Sequence, residues 1–512
     1  MTAAVPPHVR PTNRWLRSDV LFAGLLAAAA ATVYAVTFHP DWIFDPLRYA
    51  ELTQRGPARV LLGPQHALGN LLPLLAYRAA RGMGYGGRAM PVLAACSVAA
   101  AAAVVAGVFV ACRRLGGSLP AAALAAATLG STTFLWRAGG SGGVYGMAAA
   151  TLALGWVAAA HFVRQRGVTA AALLGVAGGI AVGGHLANLA FLAAASLLVF
   201  ALEPSVTRVR ALGAFAGSAA LVAAVVFGVT AGFATGWSPS AMRDWALHPG
   251  IGGPTDRSSL VGWGIGGFPP AVAEGVTALT IGLLAAAVVR GVMLATRSRI
   301  GAILAAALTL NAGIAFLLAS WYQALRPDYW GMGLVPLAVM AGAGTRAYGR
   351  RTAVLRWIGA LAALAAVGVL LAWNAGHEVA PSLELSRARG RAVEAIEARI
   401  PPGGRVLISP LLAGRLADDG YVAETGFAAL KRAVEGGGPK PGVTALEDEA
   451  ASGAVWVSSA AFGFTSGQAQ FLGATGRDVW RILRQLGVRP VLRTHGLPRD
   501  ETVYRLRAVA PH

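Results

Sequence analysis

The residues of this chain with most chemistry to offer sit in four short stretches, each bordering an apolar run. The first follows the first apolar run and reads FHPDWIFDPLRYAEL, then GPQHALGN. A carboxylate just beyond an apolar span, held in a protein-walled cleft, can act as general base on an acceptor hydroxyl. Asp45 and Glu51 are the candidates. They stand six residues apart, so they share no helical face unless the chain bends at Pro46. For each, a solvated interfacial carboxylate is the competing reading.

The second stretch is TTFLWRAGGSGGVYGM, residues 132–147. Trp136 and Arg137 are expected to end one helix, and the glycines let the backbone turn or approach a ligand. Tyr145 opens the next helix. Arg137 can pair with a phosphate or snorkel to headgroups as an anchor. The third stretch is GGHLANLAF, residues 183–191. An ionisable His185 inside an apolar run marks a functional-site hypothesis. Asn188 is one turn on, and a hydrogen-bonded structural pair is the alternative. The fourth is the loop 234–270, with Arg243, Asp244, His248, Asp256 and Arg257. A loop of that length is expected to be functional or disordered, and a lid over a site fits it. Arg326 and Asp328, after Trp321-Tyr322, are expected at the same face, with phosphate binding and interfacial anchoring as the two readings.

These residues need elements to hold them, and the composition says which. Of the 512 residues, 56% are hydrophobic and 13% charged, with mean hydropathy +0.58. Soluble chains carry about 25% charged residues, so the long apolar runs are solvated by lipid. Apolar runs fall at 20–38, 90–111, 119–136, 144–163, 168–202, 211–233, 271–295, 300–321, 329–347 and 354–374. The 168–202 run exceeds the ~20 residues of one crossing, so it is split into two short helices turning at Gly183-Gly184-His185. The sum is a polytopic α-helical membrane protein of about eleven transmembrane helices. Its tail, 1–19, is cytoplasmic, and its transmembrane domain, 20–375, has external segments 39–89 and 234–270. The first run is long for a signal peptide and lacks a small-x-small cleavage site, so it reads as an uncleaved anchor. Residues 60–80 carry Pro64, Gln65, His66, Pro73, Arg78 and Arg81, which favour a surface-lying or re-entrant helix; a crossing there would invert all that follows.

Charge tests that layout. The formal charge of +20 is uneven: residues 1–375 hold 26 arginines, no lysine and nine acids. Sixteen of those arginines fall in loops placed on the cytoplasmic side, as the positive-inside rule requires. A nucleic-acid partner would want a soluble basic face with stacking aromatics, and none is present. Seven of the nine acids (Asp41, Asp45, Glu51, Asp244, Asp256, Glu274, Asp328) fall on the external side, which suggests a site there; longer polar loops would give the same bias. The Ala-, Gly- and Arg-rich composition points to a GC-rich bacterial genome and hence the plasma (inner) membrane. Cys96 and Cys112 share one apolar run, ~24 Å apart on a straight helix, too far for a disulfide.

From about Gly376 the composition changes. Pro381–Ile400 reads as an amphipathic helix, 401–404 as a turn, and Asp478–Leu486 as a helix. Arg405–Ser409, Gly453–Ser459, Arg489–Arg493 and Thr502–Val509 read as strands. Residues 376–512 are thus expected to form a small extracytoplasmic α/β domain. It contains no phosphate loop, no GxGxxG and no metal-spaced His/Cys set. Asp418-Asp419-Gly420 reads as a turn rather than a metal site.

The first helix, the acidic external segment with His66 and Gly69, Phe134-Leu135-Trp136-Arg137 with Val144-Tyr145, and Gly183-Gly184-His185-Leu186-x-Asn188 together resemble the DUF2723 family. That family is grouped with protein O-mannosyltransferase-like membrane proteins of the GT-C fold. The resemblance covers about residues 20–200, and the topology matches as far as 375. The chain departs from the family pattern: Phe44-Asp45-Pro46 with Glu51 stands where the family has Gly-Asp-Ser-Gly-Glu. Likewise Gln65-His66-Ala67-Leu68-Gly69 stands for His-Pro-Pro-Gly, and Gly143 for the Glu before Val-Tyr. The resemblance implies transfer of a sugar from a polyprenyl-phosphate donor to an acceptor (protein, lipid or glycan) on the non-cytoplasmic face. It implies Asp45 as general base with Glu51 next, Arg137 and Arg326 on the donor phosphate, and His66, Tyr145, His185 and Asn188 around the donor. The scheme needs no cofactor and no tightly bound metal ion, and is compatible with a divalent ion. Its partners are the lipid-linked donor and membrane lipid.

Two other classes compete. A transporter or lipid flippase would show internal repeats and midplane polar residues; the halves show no repeat, and the apolar runs hold few ionisable groups besides His161 and His185. A non-catalytic scaffold of glycan assembly is the other.

Overall fold

In the computed structural model, residues 13–38, 45–56, 58–247, 278–323 and 327–344 are described, with segments of 365–506. The order is α1 (Asn13–Val36), α2 (Asp45–Arg55), α3 (Ala58–Leu61), a 3-10 turn (Pro64–His66), α4 (Ala67–Gly82), α5 (Ala89–Arg114), α6 (Leu119–Gly130) and α7 (Thr133–Gly140). Then come α8 (Tyr145–Gln165), α9 (Val168–Gly184), a 3-10 turn (Leu186–Asn188), α10 (Leu189–Leu202), α11 (Ser205–Thr235) and α12 (Pro239–Leu247). The helical part closes with α13 (Ala278–Arg297), α14 (Arg299–Gln323) and α15 (Pro327–Gly342). Five helices among the described residues are long and apolar enough to cross a membrane, six if α6 and α7 count as one bent span; three more are shorter and apolar. Most of the 354–374 run and most of the 234–270 loop, with His248, Asp256 and Arg257, lie outside the described residues.

Two expectations are corrected. The 119–136 run is not one straight helix: α6 and α7 meet at 64°. Ser131 Oγ donates back to the Ala127 carbonyl, and Thr132 Oγ1 accepts the Leu135 N–H, capping α7 at its start. The Thr132 hydroxyl thus takes the Leu135 N–H that a continuous helix would give to the Ser131 carbonyl, while the Ala127 carbonyl keeps its backbone bond from the Ser131 N–H and gains the hydroxyl as a second donor. Consequently Trp136 and Arg137 lie in the middle of α7, and the helix ends at Gly140. The second correction is local: α12 occupies the start of the 234–270 loop.

The split of the 168–202 run falls where Gly184 and His185 stand. Small residues bind its first half to α11. A Cβ on Gly175 would meet the Phe215 carbonyl, on Gly179 the Ala219 carbonyl at 2.6 Å, and on Gly183 the Val226 side chain at 2.6 Å. Glycine at every fourth position thus lets two backbones pack closely, as apolar helices in lipid do. We expect Gly179→Ala to lower stability by about 1–3 kcal/mol through overpacking. Gly213→Ala, on α11 with open space around it, should not destabilise. Unfolding midpoints in detergent compare the two, and equal midpoints would contradict this packing.

The bundle has two distinct ends. At one, Arg113 pairs with Asp19 at 2.9 Å, and Arg208 donates to the Glu203 carbonyl. The Glu203 carboxylate there accepts the N–H of Gly167, whose φ of +92° makes the tight α8–α9 turn. At the opposite end lie the start of α4, the end of α9 and the start of α8. Beyond residue 375, α16 (Ala380–Glu397) precedes β1 (Arg405–Leu407), β2 (Val422–Glu424), β3 (Val455–Ser458), α17 (Gly476–Gln485), β4 (Val488–Arg493) and β5 (Thr502–Leu506). The strands form one mixed sheet of order β2-β1-β3-β5-β4, with β1 parallel to β2 and β3, and β5 antiparallel to β3 and β4. Asp418-Asp419-Gly420 lies outside the described residues.

Candidate functional site

Three rings from three separate elements meet at the end of the bundle away from the Asp19–Arg113 pair. His66 comes from the 3-10 turn before α4, Tyr145 from the first residue of α8, and His185 from the break after α9. The His66 and His185 rings are 4.6 Å apart between centroids, His66 and Tyr145 5.7 Å, and Tyr145 and His185 6.3 Å. All are buried: His66 is 8% exposed, His185 5% and Tyr145 2%.

Each ring is held by its backbone. The Trp245 indole N–H donates to the Leu62 carbonyl at 2.6 Å, and Asn70 Nδ2 to the Leu61 carbonyl at 2.8 Å. Together they pin the turn that carries His66 to α12 and to α4. Gly69 brings α4 against Val144, the residue before Tyr145: a Cβ there would stand 3.1 Å from the Val144 side chain. His185 caps the turn that follows it, its Nδ1 accepting the Ala187 N–H at 2.9 Å. That bond fixes the tautomer. With Nδ1 accepting, the neutral ring carries its proton on Nε2, so His185 can offer an oxygen a hydrogen bond but cannot act as a base there.

Asn188 anchors the arrangement from below: its backbone N–H donates to the His185 carbonyl at 2.9 Å, and its side chain bonds elsewhere. Its Nδ2 donates to the carbonyls of Ala148 on α8 and Ala181 on α9, at 3.0 and 2.9 Å. It is 1% exposed. Asn188→Leu keeps the volume but leaves two buried carbonyls without that donor. We expect a loss of about 2–4 kcal/mol, read as a lower unfolding midpoint; a wild-type midpoint would contradict this role.

His185 lies in the break, outside both apolar helices. Burial first, and the His66 imidazole second, hold its pKa well below the ordinary histidine value. The unfolded chain binds a proton below about pH 6.5 that the folded chain refuses. Stability therefore rises with pH through that window and is lost as pH falls below it. The unfolding midpoint of the wild type should drop between about pH 7 and about pH 5, and His185→Gln should flatten the drop. An unchanged slope in the variant would contradict the assignment.

The other expected site residues are placed as follows. Arg137 is half-buried on α7. Asp45 opens α2, and Glu51 lies on the same helix with its side chain exposed. Arg326 lies outside the described residues, and Asp328 is in the first turn of α15. Among the described residues no group of three His, Cys, Asp or Glu side chains is placed to hold a metal ion. Sequence reasoning missed Thr133, Ser141 and Asn311. Asn311 on α14 accepts the Trp156 indole N–H at 2.9 Å and ties α14 to α8. An asparagine inside an apolar run was the signal available for it.

The ArnT crystal structure from Cupriavidus metallidurans aligns with 97% of this chain and 100% of its own, at TM-score 0.54 and 14% identity. ArnT is a GT-C glycosyltransferase. The fold is of the GT-C type. The archaeal oligosaccharyltransferase AglB from Archaeoglobus fulgidus, solved with an inhibitory peptide and a dolichol-phosphate, aligns more loosely. It gives TM-score 0.43 and 14% identity over 88% of this chain and 72% of that one. No family model matches the chain, and no curated protein matches it, so the resemblance to DUF2723 has no family match behind it. At these identities the likeness to ArnT is one of fold. With its apolar helices, it makes the chain a multi-pass membrane protein.

Proposed function

We propose that this chain is a membrane glycosyltransferase. It moves a sugar from a polyprenyl-phosphate donor to an acceptor hydroxyl on the extracytoplasmic face of the plasma membrane. The N-terminus is cytoplasmic in this reading, the transmembrane domain of about eleven spans runs to residue 375, and 376–512 forms the outer α/β domain. The observation that carries it is the convergence of His66, Tyr145 and His185 at one end of a GT-C-type bundle, where an apolar core gives way to fixed polar groups.

The chemistry follows from the groups. A carboxylate, Asp45 first and Glu51 next, takes the acceptor proton as the acceptor oxygen attacks the anomeric carbon. The bond from that carbon to the phosphate oxygen breaks, and polyprenyl phosphate leaves with the electron pair. Arg137 and Arg326 stabilise the charge on the departing phosphate. His185 donates from Nε2 to an oxygen of the donor, and its fixed tautomer spares reorganisation during reaction. His66 and Tyr145 wall the donor, and Asn188 holds the floor. No step needs a metal ion.

The test is a transfer assay on purified protein with a panel of labelled polyprenyl-phosphate sugars. Transfer to an added acceptor, or slow hydrolysis of one donor, is expected. No turnover and no donor binding across the panel would overturn the reading in favour of a transporter, flippase or scaffold.

A further inference from the structure

We infer that α7 carries an oxyanion seat built from Thr133, Arg137 and Ser141. The three stand at spacings of four, so they line one face of the helix and continue into its cap, where Ser141 keeps a helical conformation. The helix itself is the second of a bent apolar pair, turned 64° from α6. Broken helices in membrane bundles bring polar groups to ligands at depths where a straight apolar helix offers none.

The hydroxyls on this short helix divide into two kinds. Ser131 and Thr132 are used up locally, donating to the Ala127 and Leu129 carbonyls, with Thr132 also capping α7. Thr133 and Ser141 are not. They are 3% and 0% exposed, and neither hydroxyl has a hydrogen-bond partner among the described residues. Folded proteins seldom leave buried hydroxyls in that condition without a use. Both can donate, and the guanidinium of Arg137 between them can only donate. A row of three donors with a fixed positive charge at its centre suits an anion with several oxygens, not a cation or an apolar group.

The seat adjoins the three rings. After Ser141 the chain turns at Gly142, with φ of +83°, and reaches Tyr145 three residues later. On the other side, Gly331 in α15 lies against Phe134 of α7. Ligand chemistry is therefore a phosphate ester. Its assignment to the donor's phosphoryl group rests on the proposed function; a phospholipid headgroup offers the same chemistry.

The test uses the full chain in phosphatidylcholine nanodiscs, with Ser141→Ala and Thr133→Val beside wild type. Binding of polyprenyl phosphate, of polyprenol and of phosphatidylglycerol is followed by tryptophan fluorescence, since Trp136 is on α7. Each variant should weaken polyprenyl phosphate about tenfold, as loss of a hydrogen bond to a charged group does, and leave polyprenol unaffected. Unfolding midpoints should stay at or above wild type, because neither hydroxyl has a partner to lose; a lower midpoint in both variants would mark a structural role and overturn the seat. Wild-type binding of polyprenyl phosphate by both folded variants would also overturn it, while transfer in the donor panel would still leave the proposed function standing. Selective binding of phosphatidylglycerol, weakened by the same variants, would keep the seat, assign it to headgroups and count against the donor reading.

Discussion

His185→Phe should lower turnover for sugar transfer by about 10²–10³-fold, the usual cost of removing one fixed donor from a reacting charge. The ring volume is nearly kept, so the contacts with His66 and Tyr145 survive in outline. What disappears is the Nε2 proton, together with the Nδ1 acceptor for the Ala187 N–H. His185→Gln retains an N–H donor and should recover part of the loss in kcat, with little change in stability at neutral pH. Steady-state transfer by the three proteins decides the matter. If phenylalanine and glutamine are equally impaired, His185 acts through shape alone and the hydrogen-bond role fails.

The second large effect is expected at Asp45. Asp45→Asn should reduce transfer by about 10²–10⁴-fold, the range associated with general-base catalysis. Glu51→Gln should cost far less. The two residues share α2 but stand six apart, about 240° round the helix. The helix is fixed on its buried side by Ala50 and by Gln54, whose Oε1 accepts the Ala89 N–H at 3.1 Å. Glu51 is exposed. The comparison is made on folded protein at saturating donor, with the acceptor varied. Undiminished activity in Asp45→Asn, with loss in Glu51→Gln, would move the base to Glu51.

Much of the bundle could be read from residue types because lipid imposes a simple rule on chain length. A run as long as 168–202 exceeds one crossing, and Gly183-Gly184-His185 was the place where it could turn; the break falls there. The bend between α6 and α7 was not legible. Ser131, Thr132 and Thr133 are only weakly polar, and a run containing them still looks like one apolar helix until the caps are seen. Strand β2, at Val422–Glu424, was missed because three residues carry no measurable alternation. The neighbouring strands at 405, 455, 489 and 502 were longer or flanked by turn residues.

The site was legible in its parts but not in its assembly. His66, Tyr145, His185 and Asn188 each stood out as polar residues at the edge of apolar runs. Their meeting depends on the close approach of α4 to α8 through Gly69 and of α9 to α11 through Gly175, Gly179 and Gly183. Those are contacts between segments far apart along the chain, and spacing does not specify them. The pairing of His185 with Asn188, an open alternative from the sequence, takes the form of a backbone bond from the Asn188 N–H to the His185 carbonyl, while each side chain has its own backbone partners.

In the proposed reaction the lipid-linked donor phosphate is handled at the end of the bundle where the three rings meet. The most direct measurement is an electron cryo-microscopy structure of the full chain in nanodiscs with bound polyprenyl phosphate. Phosphate density is expected against Arg137, within hydrogen-bond reach of α7, with the first isoprene units running along the outer helices away from His66, Tyr145 and His185. Phosphate density at the Asp19–Arg113 end of the bundle, with the ring cluster unchanged, would contradict it.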